Sequence, residues 1–230
     1  MLEDLHYIAV EGPIGAGKTT LARALAERLG ARLVLEPADA NPFLDKFYAD
    51  MPRYALATQL VFLVSRYQQQ AELAQMDLFR SKAVSDYILA RDRIFAGLTL
   101  SGDEFRLYER LYALMAAQAA RPDLVVLLRA DTPSLLARIR ARGNRYEAAF
   151  PQDYLERVAG AYDEFFRSYD ESPLLVVETG GLDYARDELD VDALVREIAK
   201  TREERRVFVA EPEERRQRRN SSRMSTDGHG

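Results

Sequence analysis

Cysteine and tryptophan are absent from the 230 residues, and histidine occurs only twice, at His6 and His229. The first absence removes disulfides, thiolate nucleophiles and Cys-ligated zinc together. Two histidines cannot build a His-rich metal site, so any metal chemistry must use hard oxygen ligands. Long apolar runs are missing too, and no segment reaches the length of a membrane span. The start, MLEDLHYIAV, lacks the basic region and apolar stretch of a secretory signal. These absences predict a cytoplasmic chain with no membrane partner. Lysine is scarce, four against 28 arginines, so a lysine inside a motif carries more information than an arginine does.

What is present has a globular balance, with 47% hydrophobic and 30% charged residues. The length suits one domain with a remainder and is ample for a sizeable core. The net charge of −5 is uneven: from Arg215 onward five Arg against one Asp give +4, leaving −9 on the rest. An acidic body argues against a nucleic-acid-binding domain, where one basic face is expected. The end, RRQRRNSSRMSTDGHG, has almost no apolar residues and reads as a disordered, solubilising tail. The division expected is a domain over 1–204 and a charged tail over 205–230.

Short apolar runs alternate with longer helical patterns. HYIAVE (6–11), RLVLE (32–36), KAVSD (82–86), LVVLLRA (124–130) and LLVVE (174–178) read as buried strands. Their near-continuous apolarity fits a parallel sheet covered on both faces. Helical patterns cover roughly 17–29, 53–79, 102–120, 132–142, 151–170 and 190–204. The helix from 132 has a start signal in Asp131-Thr132-Pro133, a capping residue followed by proline. The pattern predicts a doubly wound α/β fold with a five-stranded parallel sheet.

Gly12-Pro13-Ile14-Gly15-Ala16-Gly17-Lys18-Thr19 fits G-x-x-x-x-G-K-[ST] at every fixed position, after an apolar strand and before the helical run TTLARALAERLG. Glycines let backbone N–H groups curl around phosphate oxygens, and a helix N-terminus adds a favourable dipole. Lys18 is placed to reach the β- and γ-phosphates, the Thr19 hydroxyl to ligate Mg²⁺, and Thr20 completes the loop. The chain is therefore expected to bind a nucleoside triphosphate, with ATP as phosphoryl donor.

Ligands of open parallel sheets bind outside the carboxyl ends of the strands. Strand two ends in Glu36 and strand three in Asp86, so both carboxylates aim at the crevice that holds the phosphate loop. Asp86 suits a Mg²⁺ carboxylate; a helix cap or turn residue is the plainer alternative. Glu36 precedes Pro37 and could simply mark a loop. If the acceptor is a hydroxyl, however, a proton must leave, and a carboxylate base serves that step. A monophosphate acceptor would call for Arg there, so Glu36 tips the reading toward a kinase of alcohols.

With these residues in view the chain resembles the deoxyribonucleoside kinase family, whose members phosphorylate the 5′-hydroxyl of deoxynucleosides. The segments that carry the resemblance are EGPIGAGKTT (11–20), LEP (35–37), Tyr48, TQLVFLVSRYQ (58–68), SDYILARDRIFAG (85–97), RIRARGNRYE (138–147) and DYLERV (153–158). It spans most of residues 5–200. The resemblance implies Glu36 as general base for the 5′-hydroxyl, Tyr48 and Glu147 as partners of the sugar 3′-hydroxyl, and Gln59 as a hydrogen-bond partner of the base. Leu44 joins the implied substrate site. Arg66 and Asp92 match the pair that reads the base edge in members preferring cytidine or purine nucleosides, and Arg138, Arg142 and Arg145 match the arginines of a lid over the transferring phosphate. It also implies a homodimer built through long helices, for which 53–79 and 102–120 are candidates.

The residues themselves support part of this. Gln59, Phe62, Leu63 and Arg66 recur at helical spacing and share a face. Arg66 is either on a solvated face or buried beside a partner such as Asp92, since an unpaired buried Arg is costly. Two departures stand out. Where the family carries an acidic residue followed by Arg-Ser, this chain has Asp86-Tyr87-Ile88, so the role of that Arg falls to another residue or is dispensed with. In the lid run Arg142-Gly143-Asn144-Arg145, one Arg is shifted by a position. The expected activity is ATP- and Mg²⁺-dependent phosphorylation of purine deoxynucleosides or deoxycytidine. The rival readings are a thymidylate-kinase-like phosphotransferase, which would carry Arg where this chain has Leu35, and a non-enzymatic nucleotide switch with the basic tail as its contact.

Overall fold

The computed structural model describes residues 4–77, 81–143, 152–201 and 205–209. Six strands, β1 (Tyr7–Glu11), β2 (Arg32–Val34), β3 (Ala83–Ser85), β4 (Leu124–Arg129), β5 (Leu174–Glu178) and β6 (Arg205–Val209), form one sheet in the order β2-β3-β1-β4-β5-β6. Every pairing is parallel. Eight helices accompany it among the described residues: α1 (Lys18–Leu29), α2 (Leu44–Ala49), α3 (Met51–Asp77), α4 (Arg91–Thr99), α5 (Gly102–Ala116), α6 (Thr132–Arg142), α7 (Gln152–Arg167) and α8 (Glu188–Lys200). None is long and apolar enough to cross a membrane.

The period of two along each strand divides the core into two layers. Tyr7 and Ala9 of β1, with Val125, Leu127, Leu174 and Val176, face α3, α4 and most of α7. Ile8 and Val10, with Val126, Leu128, Leu175 and Val177, face α1, α6 and α8. Both faces are therefore dry, which is why these strands read as unbroken apolar runs. Residue Asp131 caps α6 as its sequence suggests, its carboxylate accepting the Ser134 N–H at 2.7 Å with proline in the first turn.

The five predicted strands are present, and a sixth joins them. Residues Arg205–Val209, which the sequence reading gave to the tail, pair with Leu174–Glu178. The strand was hard to see because it is an edge: four of its five residues are exposed, it begins with two arginines, and its apolar run is only Val207-Phe208-Val209. Helices α2 and α4 were also missed, being only six and nine residues long, too short for a helical period to establish itself.

From β1 the chain crosses to β2 and β3 on one side and later to β4 on the other. The crevice beyond the carboxyl ends of β1 and its neighbours is the switch point where such sheets take ligands.

Candidate active site

The phosphate loop leaves β1 and closes onto α1. Its shape depends on glycine at Gly15 (φ +83°) and Gly17 (φ +97°), both in the left-handed region. A Cβ on Gly15 would lie 2.7 Å from the Leu135 carbonyl, and one on Gly17 would run into the Tyr184 hydroxyl. That hydroxyl donates to the Ala16 carbonyl at 2.8 Å, so the loop between β5 and α8 braces the phosphate loop from outside. Arg138 adds to the brace, donating to the Ala16 carbonyl at 3.2 Å and to the Thr179 hydroxyl at 3.0 Å.

Lys18 is turned back on the loop and donates to the carbonyls of Gly12 (2.8 Å) and Pro13 (3.0 Å). Burial, and then the neighbouring Arg91 guanidinium, lower its pKa from 10.5 to about 8. A cation held at this cost in desolvation is poised for an anionic ligand. Beneath the loop, Glu11 is fully buried and accepts the N–H groups of Ile88 (2.7 Å) and Gly12 (3.1 Å) and the Tyr162 hydroxyl (3.2 Å). Burial raises its pKa. Glu11 thereby ties the phosphate loop to the β3–α4 connection.

Asp86 follows β3 directly and organises two other elements. Its Oδ2 accepts the Thr19 hydroxyl at 2.6 Å and its Oδ1 accepts the Glu36 N–H at 2.9 Å. A hydroxyl and a carboxylate in contact at the mouth of a phosphate loop are the hard oxygen donors that suit Mg²⁺, which uses few protein ligands and leaves room for phosphates and water. No group of three or more His, Asp or Glu poised around a metal occurs among the described residues.

Glu36 lies two residues beyond β2 and faces the same crevice. Arg66 of α3 donates Nη2 to its Oε1, and Arg91 of α4 donates Nη2 to its Oε2. Arg66 also pairs through Nη1 with Asp92 Oδ1. Arg66 is thus buried and partnered rather than solvated, which settles the alternative the sequence left open. Arg91 was not singled out from the sequence. Burial disfavours its charge, but Glu36, with Tyr162, Glu11 and Asp86 behind it, outweighs this and raises its pKa.

Tyr87, the position of the departure, is turned into the core. The Tyr87 ring is fully buried, and its hydroxyl donates to Gln69 Oε1 at 2.6 Å while Gln69 Nε2 donates to the Leu35 carbonyl at 2.9 Å. The guanidinium beside Glu36 comes from one helical turn further along the chain.

These groups open onto one cavity of about 810 Å³, within the range of small-molecule sites. Gly15, Gly17, Lys18, Thr19 and Thr20 line one end, together with Arg138, Arg142 and Tyr184. Glu36, Leu44, Tyr48, Gln59, Phe62 and Arg66 line the other. Gln59 is buried, its Nε2 donating to the Thr99 hydroxyl at 3.3 Å. Asp92 does not line the cavity but stands behind Arg66. Arg145 and Glu147 lie outside the described residues. Besides Arg91, the sequence reading missed Glu11 and Tyr184. An acidic residue ending an apolar strand was a usable signal for Glu11; nothing local marks Tyr184.

Residues 8–202 match the family described as deoxynucleoside kinase. The chain is 31% identical over 197 residues to deoxyguanosine kinase of Bacillus subtilis (strain 168), an overlap of 84% of this chain and 95% of that protein. It is 30% identical over 200 residues to deoxyadenosine/deoxycytidine kinase of the same organism, covering 84% and 91%. Its fold is shared by deoxyadenosine kinase of M. mycoides with bound dCTP, at a TM-score of 0.70 and 24% identity, over 84% of this chain and 99% of that one.

Proposed function

Because the chain belongs to the deoxynucleoside kinase family, we propose that it transfers the γ-phosphoryl group of ATP to the 5′-hydroxyl of deoxyadenosine, deoxyguanosine or deoxycytidine, with Mg²⁺. The observation that carries this reading is the single cavity with a phosphate loop at one end and Glu36 beside Leu44, Gln59, Phe62 and Arg66 at the other. The acceptors follow those named for the Bacillus subtilis relatives. They also suit Arg66, whose planar fork can donate to a ring acceptor while Asp92 behind it holds the guanidinium.

The 5′-oxygen attacks the γ-phosphorus in line as the bond to the ADP oxygen breaks, and the hydroxyl proton passes to Glu36. Lys18 leaves the carbonyls of Gly12 and Pro13 for phosphate oxygens, and Arg142 with Arg138 and Arg145 balances the charge that develops. Thr19 and Asp86 would hold Mg²⁺, which neutralises phosphate charge when bound. Tyr48 and Glu147 hold the sugar, and Leu44 and Gln59 bound the acceptor pocket. Association into a homodimer is supported by the exposure of Val64 on α3 and Leu107 and Leu114 on α5, faces a partner copy would cover.

The testing experiment offers ATP and Mg²⁺ with the four deoxynucleosides and, separately, their monophosphates. Phosphorylation of free deoxynucleosides, with thymidine poorest, is expected. Turnover of monophosphates alone would favour the thymidylate-kinase-like alternative and remove Glu36 from its role.

A further inference from the structure

A general base must offer the acceptor hydroxyl a lone pair and room to approach it, and at Glu36 both oxygens already accept from an arginine. Its two oxygens are engaged by two different arginines, Arg66 on Oε1 and Arg91 on Oε2. Withdrawal of one of them opens that oxygen to the approach of the acceptor hydroxyl.

The two arginines differ in where else they can go. Arg91 has Glu36 as its one ion-pair partner among the described residues. Its Nη1 is also fixed on the Asp86 carbonyl at 3.3 Å, from the first turn of α4. Arg66 already spans two carboxylates, Glu36 and Asp92. Asp92 is completely buried, and its Oδ2 accepts no hydrogen bond among the described residues. A buried carboxylate oxygen left in that state favours more complete pairing with a guanidinium.

Electrostatics points the same way. Arg66 has its pKa lowered to about 9, by burial first and by the charge of Arg91 second. Two guanidiniums on one carboxylate repel each other, and Arg66 is the one with an alternative. Its place in the cavity adds a reason for the change: the guanidinium carbon lies 4.9 Å from the centre of the Phe62 ring, and both side chains line the acceptor end. A nucleobase bound at that end has Arg66 and Phe62 among the side chains that line it.

We propose that Arg66 is a clamp released by the acceptor: it holds Glu36 Oε1 until a base with a hydrogen-bond acceptor draws its guanidinium onto the base and Asp92, which frees Oε1 for the 5′-hydroxyl. Arg91 stays on Oε2 and keeps the carboxylate aimed. Recognition of the base then governs the rate of transfer as well as the strength of binding, because an acceptor that does not engage Arg66 leaves the general base occupied. This inference rests on the acceptor assignment made above and gives Arg66 a positioning role that base recognition alone does not imply.

The test compares kcat and KM for deoxyadenosine with those for 1,2-dideoxyribose, which presents the same hydroxyl and no base. In the wild type the baseless acceptor is expected to show a lower kcat at saturation, by about tenfold or more, besides its higher KM. The double variant Arg66→Met/Asp92→Leu removes the clamp without leaving a buried carboxylate unpaired. In it, kcat for the baseless acceptor should rise to within about threefold of that for deoxyadenosine, whose KM should increase. Asp92→Asn, which weakens the place to which Arg66 withdraws, should lower kcat for deoxyadenosine although Asp92 touches no reacting atom. An unchanged ratio of kcat values in the double variant overturns the proposal, and so does an Asp92→Asn effect confined to KM. Turnover of monophosphates with neither free acceptor would instead overturn the acceptor assignment, a result separable from failure of the clamp alone.

Discussion

Replacing Lys18 with methionine should stabilise the fold while abolishing phosphoryl transfer. The side chain is largely buried against the phosphate loop, and in the ligand-free protein its pKa falls from 10.5 to about 8. At about 1.4 kcal/mol per pH unit, keeping Lys18 charged costs the folded state at most roughly 3–4 kcal/mol. The residue is not completely shielded, so solvent screening reduces this to roughly 1–2 kcal/mol. For a chain of this size the corresponding rise in Tm for Lys18→Met at pH 7 is about 2–8 °C. The pH dependence fixes the cause. Between pH 8 and 10.5 the unfolded chain binds the lysine proton and the folded chain has released it, so wild-type stability gains on the variant as pH rises through that window. Below pH 8 the deficit is full; toward pH 10.5 it disappears. The assay is thermal unfolding followed by circular dichroism from pH 7 to 9.5, with and without ATP. ATP should raise the wild-type Tm and leave that of the variant nearly unchanged. A variant Tm at or below wild type at pH 7, or a gap that stays constant with pH, would refute the account of Lys18 as a desolvated cation awaiting phosphate.

Glu36→Gln should retain deoxynucleoside binding, measured by calorimetry, and lose kcat by roughly 10²–10⁴-fold, the contribution of a general base. Gly17→Ala should weaken ATP binding sharply, because the added methyl meets the Tyr184 hydroxyl at a positive φ; restored binding in Gly17→Ala/Tyr184→Phe would assign the loss to that collision, and a loss in the double variant equal to that in the single one would assign it to the backbone. Asp86→Asn should raise the Mg²⁺ concentration needed for half-maximal activity, since Asp86 and the Thr19 hydroxyl it accepts are the oxygens offered to the ion; an unchanged Mg²⁺ titration would remove Asp86 from that role.

The parts of the site that the sequence displays are those whose chemistry is local. A phosphate loop is a contiguous run with a fixed physical purpose, and Lys18 and Thr19 stand out within it. Glu36 and Asp86 follow from a slightly longer argument, that parallel strands deliver their carboxyl ends to one crevice. The sheet was legible wherever both faces are buried, and β6 escaped because its apolar run, Val207-Phe208-Val209, is short, exposed at an edge and set among charged residues. Arg66 was undecided between solvent and a partner, because α3 spreads polar and apolar residues around its circumference and presents no distinct polar face. Only the packing of α4 against α3, which brings Asp92 to it, decides the matter.

Arg91 shows why a motif can be absent while its charge is present. Position 87 follows strand β3 immediately, and here it carries tyrosine turned into the core, anchored on Gln69. Four residues later the chain begins α4, and the first residue of that helix, Arg91, donates to Glu36. A reading by aligned position finds a lost arginine. The crevice has an arginine on Glu36 all the same, and such a side chain is long enough to reach the carboxylate from more than one backbone position. The exchange has a consequence for the clamp. Arg91 is held both by Glu36 and by the Asp86 carbonyl, so it fixes one carboxylate oxygen from a helix terminus and leaves the other to Arg66. A site with its arginine at position 87 would approach Glu36 from the strand end, and whether Arg66 could then share the carboxylate is a question for Tyr87→Arg/Arg91→Ala. If the cation at Glu36 is what matters, that double variant should recover part of the kcat lost in Arg91→Ala alone. If it recovers none, in a protein whose melting shows an intact fold, then the position of Arg91 matters as much as its charge, and the division of Glu36 between two arginines belongs to this arrangement of β3 and α4.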